Sequence, residues 1–147
     1  MEQESHERYM REALKEAEKA LALDEVPIGA VIVANNKIIA RAHNLTEQLN
    51  DVTAHAEMQA ITSAANYIGG KYLVDCTMYV TVEPCYMCAG ALNWSQISTL
   101  VIGTSDSKKG FSQLDANLLH PKTKIITGIL KEDCKALIQG FFEKKRK

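Results

Sequence analysis

A histidine, a glutamate and two cysteines stand at spacings that suit a metal ion and an activated water. One residue lies between His55 and Glu57, and Cys85 and Cys88 follow as a Cys-x-x-Cys pair. Cysteines three apart on a helix share a face, and the positive end of a helix favours their thiolates. Two thiolates and one neutral imidazole are ligands that zinc accepts, and they leave a fourth position for water. The pattern predicts a catalytic zinc site on His55, Cys85 and Cys88.

Glu57 is predicted to move protons rather than to bind the metal. Side chains two residues apart on a regular helix diverge by about 200°, so Glu57 is badly placed beside His55 as a fourth ligand. Its carboxylate can still take a proton from a water whose pKa zinc lowers to about 7, and then pass that proton on.

The parts of this constellation also have simpler interpretations. A Cys-x-x-Cys pair alone is typical of a redox site, but such a site gives the histidine and the glutamate no role. A structural zinc site needs a fourth Cys or His at ligand spacing. Cys76 and Cys134 form no second pair, so we expect both to be buried as small apolar side chains.

The elements that must position these residues alternate between helix and strand. Apolar residues at helical spacing over 9–21 predict an amphipathic first helix, and Asn35-Asn36 between two β-like runs predicts a hairpin. The remaining predicted elements are a helix from 54 to about 66 with Thr53 as its N-cap, a strand over 77–82, a helix from Pro84 to about 94, strands over 99–102 and 124–127, and a helix over 131–145. This order predicts one layered α/β domain over residues 1–147, with parallel strand pairs.

Charge is unevenly distributed along the chain. The 147 residues carry 17 basic and 18 acidic side chains, for a net charge of −1. Acidic residues predominate over 1–25, and basic residues predominate over 104–147 up to a basic tail at about 143–147. On charge alone this indicates an acidic helix and a solvated tail. No apolar run is long enough to span a membrane, and the first residues do not resemble a secretory signal, so we expect a cytoplasmic protein.

His-x-Glu followed by Pro-Cys-x-x-Cys is the signature of the zinc-dependent nucleobase deaminases. Beyond that signature, residues 26–31, Asn44, 53–57, 79–91 and the closing Phe141-Phe142 resemble bacterial tRNA-specific adenosine deaminases, of the cytidine/deoxycytidylate deaminase superfamily. Members of that family convert adenosine to inosine at the wobble position of an anticodon. The resemblance implies a three-layer α/β/α cytidine-deaminase-like fold, with a central mixed five-stranded sheet flanked by helices.

The same resemblance implies roles around one Zn²⁺ per subunit. Glu57 would carry protons between water, the ring nitrogen and the leaving ammonia. Asn44 would hydrogen-bond the flipped base, and Asp106 would lie near the sugar of the flipped nucleotide. Ile28 and the backbone at Ala56 would complete the substrate-binding residues.

The implied partner is the anticodon stem-loop of a tRNA, bound by a homodimer whose active sites contain residues from both chains. The RNA-contact candidates are the aromatic pair and the basic tail: Phe141, Phe142, Lys144, Lys145 and Arg146. Neighbouring residues on a helix face different directions, so we expect one of the two phenylalanines to point inward.

Two alternative functions share these residues. Trp94 and the stretch 104–120 depart from the pattern of the tRNA enzymes, and a guanine deaminase, or a deaminase of another free nucleobase or nucleoside, would use the same ligands and the same glutamate. The basic, aromatic C-terminus favours RNA over a small substrate. A non-catalytic, zinc-stabilised RNA-binding module is the second alternative, and it leaves Glu57 without a role.

Overall fold

The computed structural model describes residues 2–114 and 117–146. The predicted tail 143–147 and the stretch 104–120 each include residues outside these ranges. The elements are, in chain order, α1 (Glu2–Ala22), β1 (Gly29–Ala34), β2 (Lys37–His43), α2 (Ala56–Ile68), β3 (Thr77–Val82), α3 (Tyr86–Ser95), β4 (Thr99–Thr104), a 3₁₀ turn (Phe111–Gln113), β5 (Lys124–Ile126) and α4 (Lys131–Lys145).

The five strands form one mixed sheet in the order β2-β1-β3-β4-β5. β1 runs antiparallel to both β2 and β3, whereas β3, β4 and β5 are parallel. The predicted hairpin is confirmed: Asn35 and Asn36 both have positive φ, at 51° and 61°, as a tight turn between twisted strands requires. The predicted mixed five-stranded sheet flanked by helices is likewise confirmed.

Helices cover both faces of the sheet and make three layers. Alternate residues of a strand point to opposite faces, so Ile32 and Val80 pack with α2 and α3, while Val31 and Tyr79 pack with α1. Cys134 of α4 joins the second cluster. Cys76 and Cys134 are each 1% exposed, which confirms that both are buried small side chains.

α1 lies unusually close to the start of β1. A Cβ atom at Gly29 would overlap the carbonyl oxygen of Ala13 and the amide nitrogen of Ala17, so the helix approaches the strand only because this side chain is a hydrogen. The contact fixes the end of β1 that lies beside the carboxyl end of β3. Among the described residues, no helix is long and apolar enough to cross a membrane.

Candidate active site

The N-termini of α2 and α3 converge beyond the carboxyl end of β3, and each carries a predicted metal ligand at its N-cap. His55 caps α2 and Cys85 caps α3, both with extended backbone and neither with a side-chain capping bond. Their carbonyl oxygens accept the first hydrogen bonds of the two helices, which leaves both side chains free for other partners. Ligands from opposite ends of the motif are thus brought together by two helix starts.

Both helices begin later than the sequence pattern predicts. Thr53 is not the N-cap of α2, because its hydroxyl and its amide both donate to the Asp51 carboxylate, at 2.7 Å and 2.8 Å. Pro84 likewise precedes the cap of α3 rather than opening the helix. His55 and Cys85 therefore flank their helices, and only Cys88 lies in a first turn.

His55, Cys85 and Cys88 form a metal-binding geometry, with their ligand atoms all within 4.8 Å of one another. The Nδ1 atom of His55 lies 3.7 Å from the Sγ atom of Cys85 and 3.5 Å from that of Cys88. A tetrahedral zinc with Zn–S near 2.3 Å and Zn–N near 2.0 Å places N and S about 3.5 Å apart. The three side chains already stand close to those separations.

The three side chains of this cluster compete for protons. The hydrogen bond from Cys88 lowers the pKa of Cys85 to about 4, although burial opposes the shift. The same bond, together with burial, raises the pKa of Cys88, and the bond with Cys85 raises the pKa of His55. Two thiolates at this distance need a positive charge between them, and a divalent metal supplies it. The donor set fits zinc.

Glu57 lies in the second position of α2 and is only 3% exposed. It lines the same pocket as His55 but is not one of the three clustered ligands. Burial raises the pKa of Glu57 to about 7, against the opposing effects of its own backbone amide and of the His55 charge. A carboxyl group in such an environment both accepts and donates protons near neutral pH.

The pocket beside the cluster has a volume of about 180 Å³. Its lining brings together four of the predicted substrate-binding or catalytic residues with His55: Ile28, Asn44, Ala56 and Glu57, together with Val26 and Thr46. Pockets for drug-sized ligands occupy roughly 300–1,000 Å³, so this one suits a single base-sized group. A larger groove of about 980 Å³ lies around the start of α1 and contains none of the candidate residues.

Two side chains that the sequence did not single out, one half-buried and one buried, hold the loop between β2 and α2. The amide of Gln59 donates to the carbonyl oxygens of His43 and Ala54, at 2.8 Å and 3.1 Å, and so ties together the two ends of the loop. Glu25 accepts hydrogen bonds from the first turn of the same loop. Neither contact has a sequence signal, because Glu25 is simply a polar residue before Val26-Pro27 and Gln59 is simply a polar residue on a helix.

Asp106 lies outside the pocket lining, in a loop that is bonded to the start of α3. Its side chain accepts from the amides of Lys108 and Lys109 at 3.0 Å and 3.1 Å, and its own amide donates to Glu83 at 3.0 Å. Glu83 is buried and also accepts from the Ser112 amide at 2.8 Å. Sequence reasoning missed Glu83, although it immediately precedes the Pro-Cys-x-x-Cys motif.

The C-terminal candidates lie on the last turns of α4. Phe141 is 8% exposed and Phe142 is 42% exposed, so one phenylalanine points inward as predicted and Phe142 is the one available to a partner. Lys145 forms an ion pair of 2.8 Å with Asp24. Because Val26 lines the pocket, this contact brings the basic tail beside the segment that forms one pocket wall.

The known proteins that this chain resembles are deaminases. The MafB19-like deaminase family matches residues 4–146. The tRNA-specific adenosine deaminase of Bacillus subtilis (strain 168) is 46% identical over 96% of this chain and 91% of its own length. A solved structure from studies of A-to-I editing by tRNA:A34 deaminases at the wobble position of transfer RNA is 38% identical, with a TM-score of 0.81 over 88% of this chain and 98% of that one. A guanine deaminase from Bacillus subtilis is 36% identical with a TM-score of 0.65, over 68% of this chain and 64% of that one.

Proposed function

The chain belongs to the MafB19-like deaminase family and to the tRNA-specific adenosine deaminases, and on that premise we propose that it converts adenosine to inosine at the wobble position of a tRNA anticodon. The reaction is hydrolytic, and it consumes water and releases ammonia. The observation that carries the proposal is the pocket in which the histidine of a His-Cys-Cys cluster lies with a buried glutamate and an asparagine amide. A tRNA substrate also favours a cytoplasmic location.

Zinc is the proposed cofactor, one ion per chain. His55 would hold it through Nδ1, and Cys85 and Cys88 through their sulfurs, as the observed separations suit. When bound, zinc supplies the Lewis acidity that makes water a nucleophile near neutral pH. Three protein ligands leave a coordination position for that water.

The chain's own residues would position the base and move the protons. In the balanced reaction, the water oxygen bonds to the carbon that bears the exocyclic amine, and the carbon–nitrogen bond breaks. One water proton reaches the ring nitrogen and the other reaches the departing amine. Glu57 is the group in the pocket suited to carry both. Asn44 would hydrogen-bond the base, and the amide of Ala56, in the first turn of α2, has no partner within its helix.

The basic tail is the proposed contact with the RNA backbone. Lys144 and Lys145 are exposed on the last turn of α4, and Arg146 is exposed as its C-cap. The ion pair between Lys145 and Asp24 holds that turn near the segment that forms one pocket wall. A base must leave its stack to enter a pocket of this size. Phosphates flanking a looped-out nucleotide would then meet this tail, and Phe142 offers a surface on which an unstacked base can lie.

Asp106 is proposed to lie near the sugar of the flipped nucleotide.

We also propose a homodimer formed through α3. Met87 and Trp94 lie two turns apart on one face of this helix and are 36% and 83% exposed. Tryptophan is enriched at protein–protein interfaces, so a tryptophan this exposed favours a contact with another chain. Replacing Trp94 with Ser should convert a dimer to a monomer in light scattering after size-exclusion chromatography, whereas a monomeric wild type would contradict the dimer.

The deciding experiment is deamination of an anticodon stem-loop with adenosine at the wobble position, read as inosine by A-to-G change on sequencing. The same preparation is offered free guanine, with ammonia release as the readout. Inosine formation without ammonia from guanine supports the proposal. Turnover of guanine alone would assign the chain to the guanine deaminases, and turnover of neither would leave it as a binding module.

A further inference from the structure

Glu25 is completely buried, at 0% exposure, and none of the salt bridges among residues 2–114 and 117–146 involves it. Glutamates are almost never fully buried unless they are paired. Its Oε2 atom accepts from the backbone amide of Gln48 at 2.6 Å. Its Oε1 atom accepts from the backbone amide of Glu47 at 3.1 Å and from the Thr46 hydroxyl at 3.4 Å. Three neutral donors of one loop thus take the place of a cation.

The donors belong to the start of a helical turn over 45–50. Within this turn the Leu49 amide donates to the Leu45 carbonyl at 2.9 Å, and the Asn50 amide donates to the Glu47 carbonyl at 3.2 Å. The first amides of such a turn have no partner inside it, and the Glu25 carboxylate caps them. Glu25 is itself fixed, because its amide donates to Ala20 at the end of α1, at 2.9 Å.

The capped turn forms part of the active-site wall. Thr46 and Asn44 both line the pocket that contains Glu57. The Thr46 amide donates to the Oδ1 atom of Asn44 at 3.3 Å, and Asn44 is only 6% exposed. Because Oδ1 is engaged, the amide nitrogen of Asn44 is the group left for a ligand, and it suits an acceptor nitrogen or oxygen of a base.

We propose that Glu25 is a positioning residue for deamination: it caps the turn at 46–48 and thereby sets the Asn44 amide that receives the base. It does not itself line the pocket, and it acts through Thr46. The inference rests on the proposed function for its substrate. It adds a residue from the loop between α1 and β1 to a site formed by the starts of α2 and α3.

The first test is Glu25→Gln, which keeps the shape but turns one acceptor into a donor that faces a backbone amide. We expect KM for the adenosine stem-loop to rise about tenfold, as for a lost hydrogen bond to a charged group, while kcat changes less than about threefold and zinc content is unchanged. The matched control is Glu18→Gln, the same charge change at an exposed position of α1. Unchanged KM in Glu25→Gln would overturn the proposal.

A double-mutant cycle separates positioning from a general structural role. If Glu25 acts through Asn44, its substitution should have little further effect on KM in an Asn44→Ala background, whereas independent effects add. Additive effects would therefore refute the proposed route. The cycle compares variants on whichever substrate the wild type turns over, so it is run on guanine if only guanine reacts. Failure of the tRNA assignment can therefore be distinguished from failure of this inference.

Amide exchange gives a readout that needs no substrate. In Glu25→Gln we expect exchange at the backbone amides of Glu47 and Gln48 to accelerate at least about tenfold, since these two amides lose their acceptor, while β1 and β3 keep their protection. Equal exchange in wild type and variant would contradict the capping role. If Glu25→Gln does not fold, Glu25→Asp, which withdraws the carboxylate by one methylene, replaces it in the same measurements.

Discussion

The Nδ1 atom of His55 lies 3.5 Å from the Sγ atom of Cys88, although 33 residues separate the two in the chain. Two helix starts create this proximity, one after a loop that is tied down by Gln59 and one directly after β3. The fold therefore brings the three candidate ligand atoms to separations that suit zinc.

Cys88→Ser should abolish stoichiometric zinc. An alcohol is a far poorer zinc ligand than a thiolate, and even loss of a supporting contact to a ligand costs 10–100-fold in metal affinity. We expect bound zinc to fall from about one per chain to near zero by elemental analysis, with deamination lost in parallel. Cys134→Ser is the matched control, because Cys134 is equally buried but lies in the opposite layer. Full zinc content in Cys88→Ser would refute the ligand assignment.

Glu57→Ala should separate metal binding from catalysis. Glu57 is buried in the pocket without being one of the clustered ligands, so we expect zinc to remain while kcat falls by about 100-fold or more, as for a lost acid–base group. The measurements are elemental analysis and single-turnover inosine formation, with the exposed Glu18→Ala as control. Wild-type turnover in Glu57→Ala would remove Glu57 from the mechanism.

The grouping of His55, Cys85 and Cys88 and the sheet were predictable because their signals are local. The Cys-x-x-Cys spacing, the His-x-Glu pair and the β-branched run at Thr77–Val82 each occupy a few consecutive residues. The starts of α2 and α3 were each predicted two residues too early. For α2 the reason is that Thr53 has the chemistry of a cap but is already bonded to Asp51. The Thr53 hydroxyl can either cap α2 or bond to Asp51, and the backbone geometry of the loop decides between the two.

The supporting carboxylates were not predictable for a different reason. Glu25 and Glu83 are bonded to backbone amides of loops far along the chain, and a backbone amide has no sequence signature. A glutamate in an unassigned sequence is expected at the surface. Only the folded arrangement shows that both acids brace loops beside the active site.

Neutralising the basic tail should weaken tRNA binding and reduce its dependence on salt. Replacing Lys144, Lys145 and Arg146 together with Ala removes three exposed cations near the pocket wall. If each contacts one phosphate, the slope of log affinity against log salt should become shallower by about two, with zinc content unchanged.

A matched triple substitution tests whether position matters beyond net charge. Lys37, Lys122 and Lys124 are also exposed. They lie where β2 and β5 begin, at the end of the sheet opposite the carboxyl end of β3 and therefore away from the site. Replacing these three with Ala should leave most of the affinity and most of the salt slope. Equal losses in both triple variants, measured by filter binding across a salt series, would show that only overall charge counts.

Gly29→Ala should destabilise the fold through the contact between α1 and β1. The added methyl group would overlap backbone atoms of Ala13 and Ala17, which cannot swing aside as a side chain does. Overpacking of this kind typically costs about 1–3 kcal/mol in the free energy of unfolding. Gly70→Ala adds the same methyl group where nothing lies within 4 Å, and should be nearly neutral. Equal urea midpoints for the two variants would contradict the close approach.

Acid should selectively weaken the contribution of Glu16, a buried residue of α1. Burial alone would raise its pKa, but hydrogen bonds with Lys19 and His43 outweigh burial and hold the pKa below its ordinary value of 4.5. A carboxyl group that is more acidic when folded contributes stability above its unfolded pKa and loses that contribution as pH falls through the folded pKa. The wild type should therefore exceed Glu16→Gln in urea midpoint at pH 7, and the gap should shrink well below pH 4.5. Glu18 is exposed and lacks these partners, so Glu18→Gln should show no such gap. A gap for Glu16→Gln that persists unchanged into acid would exclude the hydrogen bonds of Glu16 as its cause.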